Sequence, residues 1–339
     1  MGKVLSFGEL LLRICPDENG QWLEENSLPF YVGGAEANVA TALARWGIPS
    51  AYLTALPDNY ISGELVTYLQ NQQVQMRDTF YHGDRLGLYY LAKGKDLKNT
   101  GVIYDRSGSA FATLRPGMIN WDAVFEGVSW FHFSAICPAI TQAVADVCAE
   151  ALQIATQKGI TVSLDLNYRA KLWKYGKAPE EVMPALAQHC DLIMGNIWAA
   201  HTMLGIALDE SLTEAKHKDK LAQHARITSE AIIRRFPRCR IVANTFRFDQ
   251  QEQGIRYFTA LYTDGALSIS TEYNTDKILD KVGSGDCFMA GLIYGFYNNL
   301  APAHTLELAT LAAYKKLFIP GDATTTPIAE LKNTVPYAN

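Results

Sequence analysis

Between residues 129 and 194 the chain repeatedly switches its apolar rhythm, and this switching limits the possible folds more than any other feature. Residues 129–133, 160–164 and 192–194 read as short buried strands, and 140–157 and 179–189 have the length and spacing of helices. Strands that alternate with helices form βαβ units, which give a parallel sheet with helices packed on its faces. Residues 4–7, 50–55 and 240–243 read as further strands, 64–72 as a helix, and 257–262 with 267–269 as a hairpin turning at Asp264-Gly265. Residues 205–235 read as helical and solvated, with the charged run 216–220 on a wet face. The expected fold class is therefore α/β.

Sheets of this kind bind ligands beyond the carboxyl ends of their strands. Polar groups fall there: Asp165-Leu166-Asn167-Tyr168-Arg169 after one strand and Gly195-Asn196 after the next. Two glycine turns add to them. Gly33-Gly34-Ala35-Glu36-Ala37-Asn38 opens an alanine-rich helix that reaches Trp46 and closes at Gly47 and Pro49. Asp280-Lys281-Val282-Gly283-Ser284-Gly285-Asp286 leads into an apolar run, 287–297, long enough to be a buried helix starting at or near Gly285. The first amides of such a helix lack intrahelical partners and, with the helix dipole, favour an anion. Asp286 is then either a helix cap or, beside a bound phosphoryl group, a proton acceptor.

Composition excludes several classes. Thirty Lys plus Arg against 35 Asp plus Glu give a net charge of −5 with no basic block, which argues against a nucleic-acid partner. The six cysteines (Cys15, Cys137, Cys148, Cys190, Cys239, Cys287) are scattered, which suits reduced, buried thiols of a cytoplasmic protein better than a disulfide framework. The seven histidines show no metal-ligand spacing. The chain opens directly into a strand pattern without a signal-peptide pattern, and no apolar run reaches membrane-spanning length.

The stretch 280–286 resembles the signature of the ribokinase-like sugar kinases, the PfkB family, written roughly Asp-Thr-x-Gly-Ala-Gly-Asp. Asp280, Gly283, Gly285 and Asp286 match, Ser284 is a small-residue variant, and Lys281 departs. The resemblance implies a three-layer α/β/α domain (1–9, 33–84 and 112–339) with a mostly parallel sheet and a small β lid (10–32 and 85–111). It implies Asp286 as catalytic base, the turn Gly283, Ser284 and Gly285 as anion hole, and Gly33, Gly34 and Asn38 on the sugar hydroxyls. ATP and Mg2+ are the implied cofactors, with a monovalent cation as a further candidate, and the implied partner is a second copy joined through the lid. Where the family carries Asn-x-x-Glu for magnesium, Asn196 is present but Ala199 replaces the glutamate, so the metal ligands stay unassigned. Asn244-Thr245-Phe246-Arg247 lacks the phosphate-binding glycine of the family, which leaves Thr245 and Arg247, with Asn196, Gly283 and Gly285, as candidate nucleotide contacts.

The segment Asn167-Tyr168-Arg169-Ala170-Lys171-Leu172-Trp173 resembles Asn-x-Arg-x-x-Leu-Trp of the 2-keto-3-deoxygluconate kinases, whose arginine meets the substrate carboxylate. Tyr89, Tyr104 and Arg106 resemble lid residues of the same enzymes. A guanidinium pairs with both oxygens of a carboxylate, which suits an acid sugar; by itself, Arg169 reads equally as a salt-bridge partner of Asp165 or another acid. The resemblance thus implies phosphoryl transfer to 2-keto-3-deoxygluconate, with a neutral-sugar kinase such as a fructokinase, or a non-catalytic sugar binder, as alternatives.

Overall fold

The computed structural model describes residues 2–16, 22–23, 27–76, 78–92, 101–213, 217–250 and 254–335. The first half of the chain interleaves two sheets. β1 (Lys3–Phe7) enters the main sheet, and β2 (Leu11–Ile14) and β3 (Phe30–Gly33) enter a second one. Helix α1 (Ala35–Arg45) starts at Gly34, whose φ of 135° is closed to residues with a Cβ. β4 (Ser50–Leu53), β5 (Ala55–Leu56) and α2 (Tyr60–Asn71) follow, with Asn59 capping α2 by accepting the Ser62 amide. β6 (Phe80–Tyr81) pairs with β5, and β7 (Gly87–Tyr90) and β8 (Ile103–Asp105) complete the second sheet.

The alternating segment then runs α3 (Trp121–Val124), β9 (Val128–Ser134), α4 (Ile136–Ile140), α5 (Gln142–Gln157), β10 (Thr161–Asp165), α6 (Pro179–Ala187), β11 (Leu192–Gly195) and α7 (Ile197–Leu204). The helix expected over 140–157 is two helices. Thr141 adopts an extended backbone between them and caps α5 by accepting the Val144 amide on its hydroxyl. α8 (Glu210–Thr213) and α9 (Lys218–Arg235) follow. α9 is not solvated throughout, as expected from its polarity: Leu221, Ala225 and Ile232 form a buried stripe, and Lys218 lies over the Phe258 ring while donating to the Ser270 carbonyl. Of the run 216–220, residue 216 lies outside the described residues.

β12 (Ile241–Gln250), β13 (Gly254–Thr263), β14 (Ala266–Ile269) and β15 (Tyr273–Thr275) precede α10 (Ser284–Tyr297), α11 (Pro302–Lys316) and α12 (Ile328–Thr334). β12 runs well past the expected end at Ala243, because Asn244–Gln250 pairs residue for residue with β13 and Phe246 stacks on Phe258 at 4.9 Å. The hairpin between β13 and β14 turns at Asp264 (φ 52°) and Gly265 (φ 76°), as expected for a tight two-residue turn.

The main sheet has the order β14-β13-β12-β11-β10-β9-β1-β4, parallel from β12 to β4 and antiparallel beyond, with β15 on β13. Successive residues face opposite layers: Trp130 packs with α1, α10 and α11, and Phe131 packs with α3 and α5. Close packing of α10 on α11 is allowed by Gly291, where a Cβ would fall 2.5 Å from the Ala309 Cα.

The second sheet has the order β3-β2-β7-β8, with β3 running one residue past the 10–32 span expected for a lid, to Gly33; residues 17–21, 24–26 and 93–100 of the expected lid lie outside the described residues. Its register aligns Tyr31, Arg13, Tyr89 and Tyr104 in one cross-strand row, and Phe30, Ile14, Tyr90 and Ile103 in the next. Adjacent rows point to opposite faces. The first row faces the main domain and the second faces outward.

Candidate active site

A cleft of about 630 Å³ opens at the carboxyl ends of the parallel strands, between the main sheet and the second sheet. The start of α10 forms its floor. Gly283 caps the helix with φ 79°, and a Cβ there would lie 1.7 Å from the Asp322 carbonyl oxygen, so no side chain fits. A Cβ on Gly285 would meet nothing within 4 Å, which leaves that amide open to the cleft. Ser284 donates its hydroxyl to the Ala313 carbonyl at 3.0 Å and pins the turn to α11.

Asp286 sits in the first turn of α10, 8% exposed, and its carboxylate accepts the Asn38 side-chain amide at 2.7 Å. Burial lifts its pKa from 3.8 to about 7 against the opposing hydrogen bond from Asn38; Asp165 and Glu36 push it the same way as burial, and Arg169 opposes them. A carboxylate poised near neutrality is suited to accept a proton.

Behind the turn lies a buried ion cluster that sequence reasoning missed. Asp280 accepts both terminal nitrogens of Arg13, at 3.2 and 2.5 Å, and the Val282 amide. The Arg13 Nε lies 3.1 Å from Asp322, whose second oxygen accepts the Tyr89 hydroxyl. Lys316, fully buried, donates to the Ile319 carbonyl at 2.9 Å and feels both carboxylates. The only available signal in the sequence was a charge inside an apolar strand, Leu12-Arg13-Ile14. Two expectations change accordingly. Tyr89 lines the cleft, but its hydroxyl donates to Asp322. Gly33 does not line the cleft: a Cβ there would lie 2.8 Å from Asp322 and 3.2 Å from Tyr89, so its small size makes room for that pair. A monovalent cation does not fit this cluster, because the two carboxylates already face a guanidinium and an ammonium.

At the end nearer the second sheet, Gly34, Asn38, Tyr104, Arg106, Asn167 and Arg169 line the cleft. Arg106, with its side chain 7% exposed, donates its Nε to the buried carboxylate of Glu9, which also accepts Ser109 at 2.5 Å. Its charge is balanced inside the wall. Arg169 is half-buried and donates one Nη1 bond to the Tyr168 carbonyl at 3.0 Å. The loop carrying it is set by Asn167, a non-glycine residue at φ 23° whose amide is held by Asp165. The Tyr104 hydroxyl is buried without a partner among the described residues.

Toward the antiparallel edge, Thr245 donates to the Gly195 carbonyl at 3.1 Å and Arg247 to the Lys281 carbonyl at 3.4 Å, while Lys281 pairs with Asp249 at 2.8 Å. Asn196 caps α7, its side-chain oxygen accepting the Ala199 amide at 2.8 Å. With that oxygen occupied, and no cluster of three acidic, histidine or cysteine side chains among the described residues, the donor set does not fit a magnesium ion held by protein carboxylates.

The pfkB family carbohydrate kinase model matches residues 1–329. The chain belongs to that family. Kinases of the family use ATP and Mg2+, so this is a carbohydrate kinase, a phosphotransferase with an alcohol acceptor. The crystal structure of 2-dehydro-3-deoxygluconokinase from Thermotoga maritima superposes with a TM-score of 0.88 at 30% identity over 99% of both chains. A 2-dehydro-3-deoxygalactonokinase of Haloferax volcanii is 37% identical over 171 residues, a match spanning 50% of this chain and only 54% of that relative. Probable fructokinase-2 of Arabidopsis thaliana is 28% identical over 86% of this chain and 80% of its own. The six cysteines are all buried and free, and no helix among the described residues is long and apolar enough to cross a membrane.

Proposed function

We propose that this carbohydrate kinase phosphorylates an acid sugar of the 2-keto-3-deoxyhexonate class, 2-keto-3-deoxygluconate being the first substrate to test, giving the 6-phosphate. The observation that carries the reading is Arg169: its guanidinium lines the same cleft as Asp286 and is close enough to act on that carboxylate, whereas the Arg106 charge is already balanced by Glu9. Arg169 pairs with the substrate carboxylate, Tyr104 offers its hydroxyl, and Asn38 and Gly34 bear on the sugar hydroxyls.

Asp286 accepts the proton of the primary hydroxyl as that oxygen bonds to the γ-phosphorus of ATP and the bond to the β–γ bridging oxygen breaks. ADP leaves with the bridging oxygen. The Gly283–Gly285 amides and the α10 dipole stabilise the charge on the transferring group. Arg247 and Thr245 lie toward the nucleotide. Magnesium would be carried by the triphosphate itself, as Asn196 and its neighbours supply no carboxylate to hold it. The second sheet closes the sugar end as a lid, two copies pair through it, and the protein works in the cytoplasm.

The test is ATP consumption with 2-keto-3-deoxygluconate, 2-keto-3-deoxygalactonate and fructose, using wild type and Arg169→Ala. We expect turnover on an acid sugar and a KM for it raised about tenfold to a hundredfold in the variant, the range of a lost charge-assisted pair. Turnover on fructose alone, unaffected by Arg169→Ala, would establish the second reading, a fructokinase, which the plant relative favours. The non-catalytic alternative is set aside by family membership.

A further inference from the structure

β12 reaches the cleft without the glycine turn that the family resemblance led us to expect at Asn244–Arg247, and something else must face the phosphates on that side. Tyr257 on β13 is directly opposite Arg247 on β12, so the two side chains leave the same face of the sheet. Both line the cleft, along with the glycine turn. Tyr257 is 2% exposed, and its hydroxyl is buried with no hydrogen-bond partner among the described residues.

An unpartnered buried hydroxyl is costly to a fold and is rarely kept without a use. Burial holds this phenol far above its ordinary pKa, against the opposing charge of Arg247, so it stays neutral and remains a donor. Arg247 is tied by its Nη1 to the Lys281 carbonyl at the entrance of the glycine turn. A neutral donor, a guanidinium and a helix N-terminus therefore border one part of the cleft, and all of them favour a polyanion. The sugar-facing groups stand elsewhere: Asn38 is on α1, Arg169 follows β10, and Tyr104 is on the second sheet. β12 and β13 lie on the opposite side of β10 from β1 in the sheet order.

We infer that Tyr257 donates its hydroxyl to a phosphate oxygen of the bound nucleotide, forming with Arg247 a cross-strand phosphate clamp that replaces the missing glycine turn. The inference rests on reading the cleft as an ATP site, and it adds a residue that the sequence did not single out. No bond is made or broken at Tyr257. The residue binds the polyphosphate and takes no part in proton transfer.

Tyr257→Phe removes the hydroxyl and keeps the ring, so the test is kinetic and calorimetric. We expect the KM for ATP and the Kd for ADP, measured without sugar, to rise about tenfold, as for a lost hydrogen bond to a charged group. The KM for the sugar stays unchanged. The melting temperature without nucleotide stays level or rises, because an unpartnered polar atom has been removed. ADP bound equally by wild type and Tyr257→Phe would overturn the clamp and leave the kinase reading intact. A fall in the melting temperature without nucleotide would also overturn it, since the hydroxyl would then have an internal partner. A wild type that neither binds ADP nor consumes ATP would overturn both the clamp and the kinase reading.

Discussion

In the proposed mechanism Asp286 must ionise to take a proton, while burial in the closed site lifts its pKa to about 7. Because only the carboxylate can take a proton, kcat/KM should rise with pH to a plateau above about 7 and fall away below it. Asp286→Asn should lower kcat by about 10²–10⁴-fold and abolish that pH dependence. Stability should respond in the opposite sense. A folded-state pKa raised above the ordinary 3.8 favours the protonated form, so the stability this group lends at low pH is lost as pH rises through about 7. Asp286→Asn should therefore melt higher than wild type above pH 7, with the gain shrinking as pH falls toward 3.8; calorimetric melts across that range, read beside the rate profile, check both. At this scale the sequence was informative where the candidate residues are consecutive. Asp286, Gly283 and Gly285 could be read from one short stretch because the helix start that organises them is local. Glu9 and Arg106, 97 residues apart, could not, and neither could Tyr89 and Asp322, 233 apart, because nothing local says which opposite charge or acceptor a buried group will meet.

At the scale of elements, the buried ion cluster is the joint between the second sheet and the start of α10. Arg13 belongs to β2, Tyr89 to β7, Asp280 opens the glycine turn, and Asp322 and Lys316 follow and end the α11 region. Arg13 and Asp280 have side chains at most 1% exposed. Removing one partner strands the other charge without water, so Arg13→Met should destabilise the fold by about 3–5 kcal/mol, measurable by denaturant unfolding. Since the fixed cations already balance Asp280 and Asp322, wild-type turnover should be the same in potassium, sodium or tetramethylammonium salts at constant ionic strength. A strong potassium activation would show that a mobile cation reaches the turn after all. Element types were mostly readable because the βαβ rhythm is local. The length of β12 was not, since Asn244 and Thr245 are polar and only pairing with β13 keeps the segment extended. The buried face of α9 was hidden similarly by its lysine- and arginine-rich outer surface.

For the whole molecule, the second sheet has two unlike faces, and its cross-strand register explains why. The inward row, Tyr31-Arg13-Tyr89-Tyr104, is consumed by the ion cluster and the cleft. The outward row, Phe30-Ile14-Tyr90-Ile103, is apolar, and its two end members are 63% and 62% exposed on the edge strands β3 and β8. Among the described residues both edges also lack a neighbouring strand, leaving backbone groups that proteins usually blunt or cover. A second copy of the same sheet would satisfy both features at once, covering the apolar row and shielding the edges, and it would brace the sheet over the proposed sugar site. The register that brings these four residues into line cannot be read from four short segments spread over residues 14–103, so in the sequence pairing rested on the family resemblance and not on this row. Light scattering should give a mass twice the chain's 37.5 kDa. The double substitution Phe30→Glu with Ile103→Glu should return a monomer with its melting transition largely retained, because both side chains are exposed within one chain. Its KM for the sugar should rise more than its KM for ATP, since the sheet borders the sugar end. A wild type that scatters as a monomer at micromolar concentration would leave the outward row without this partner and would remove pairing from the account of how the lid is held.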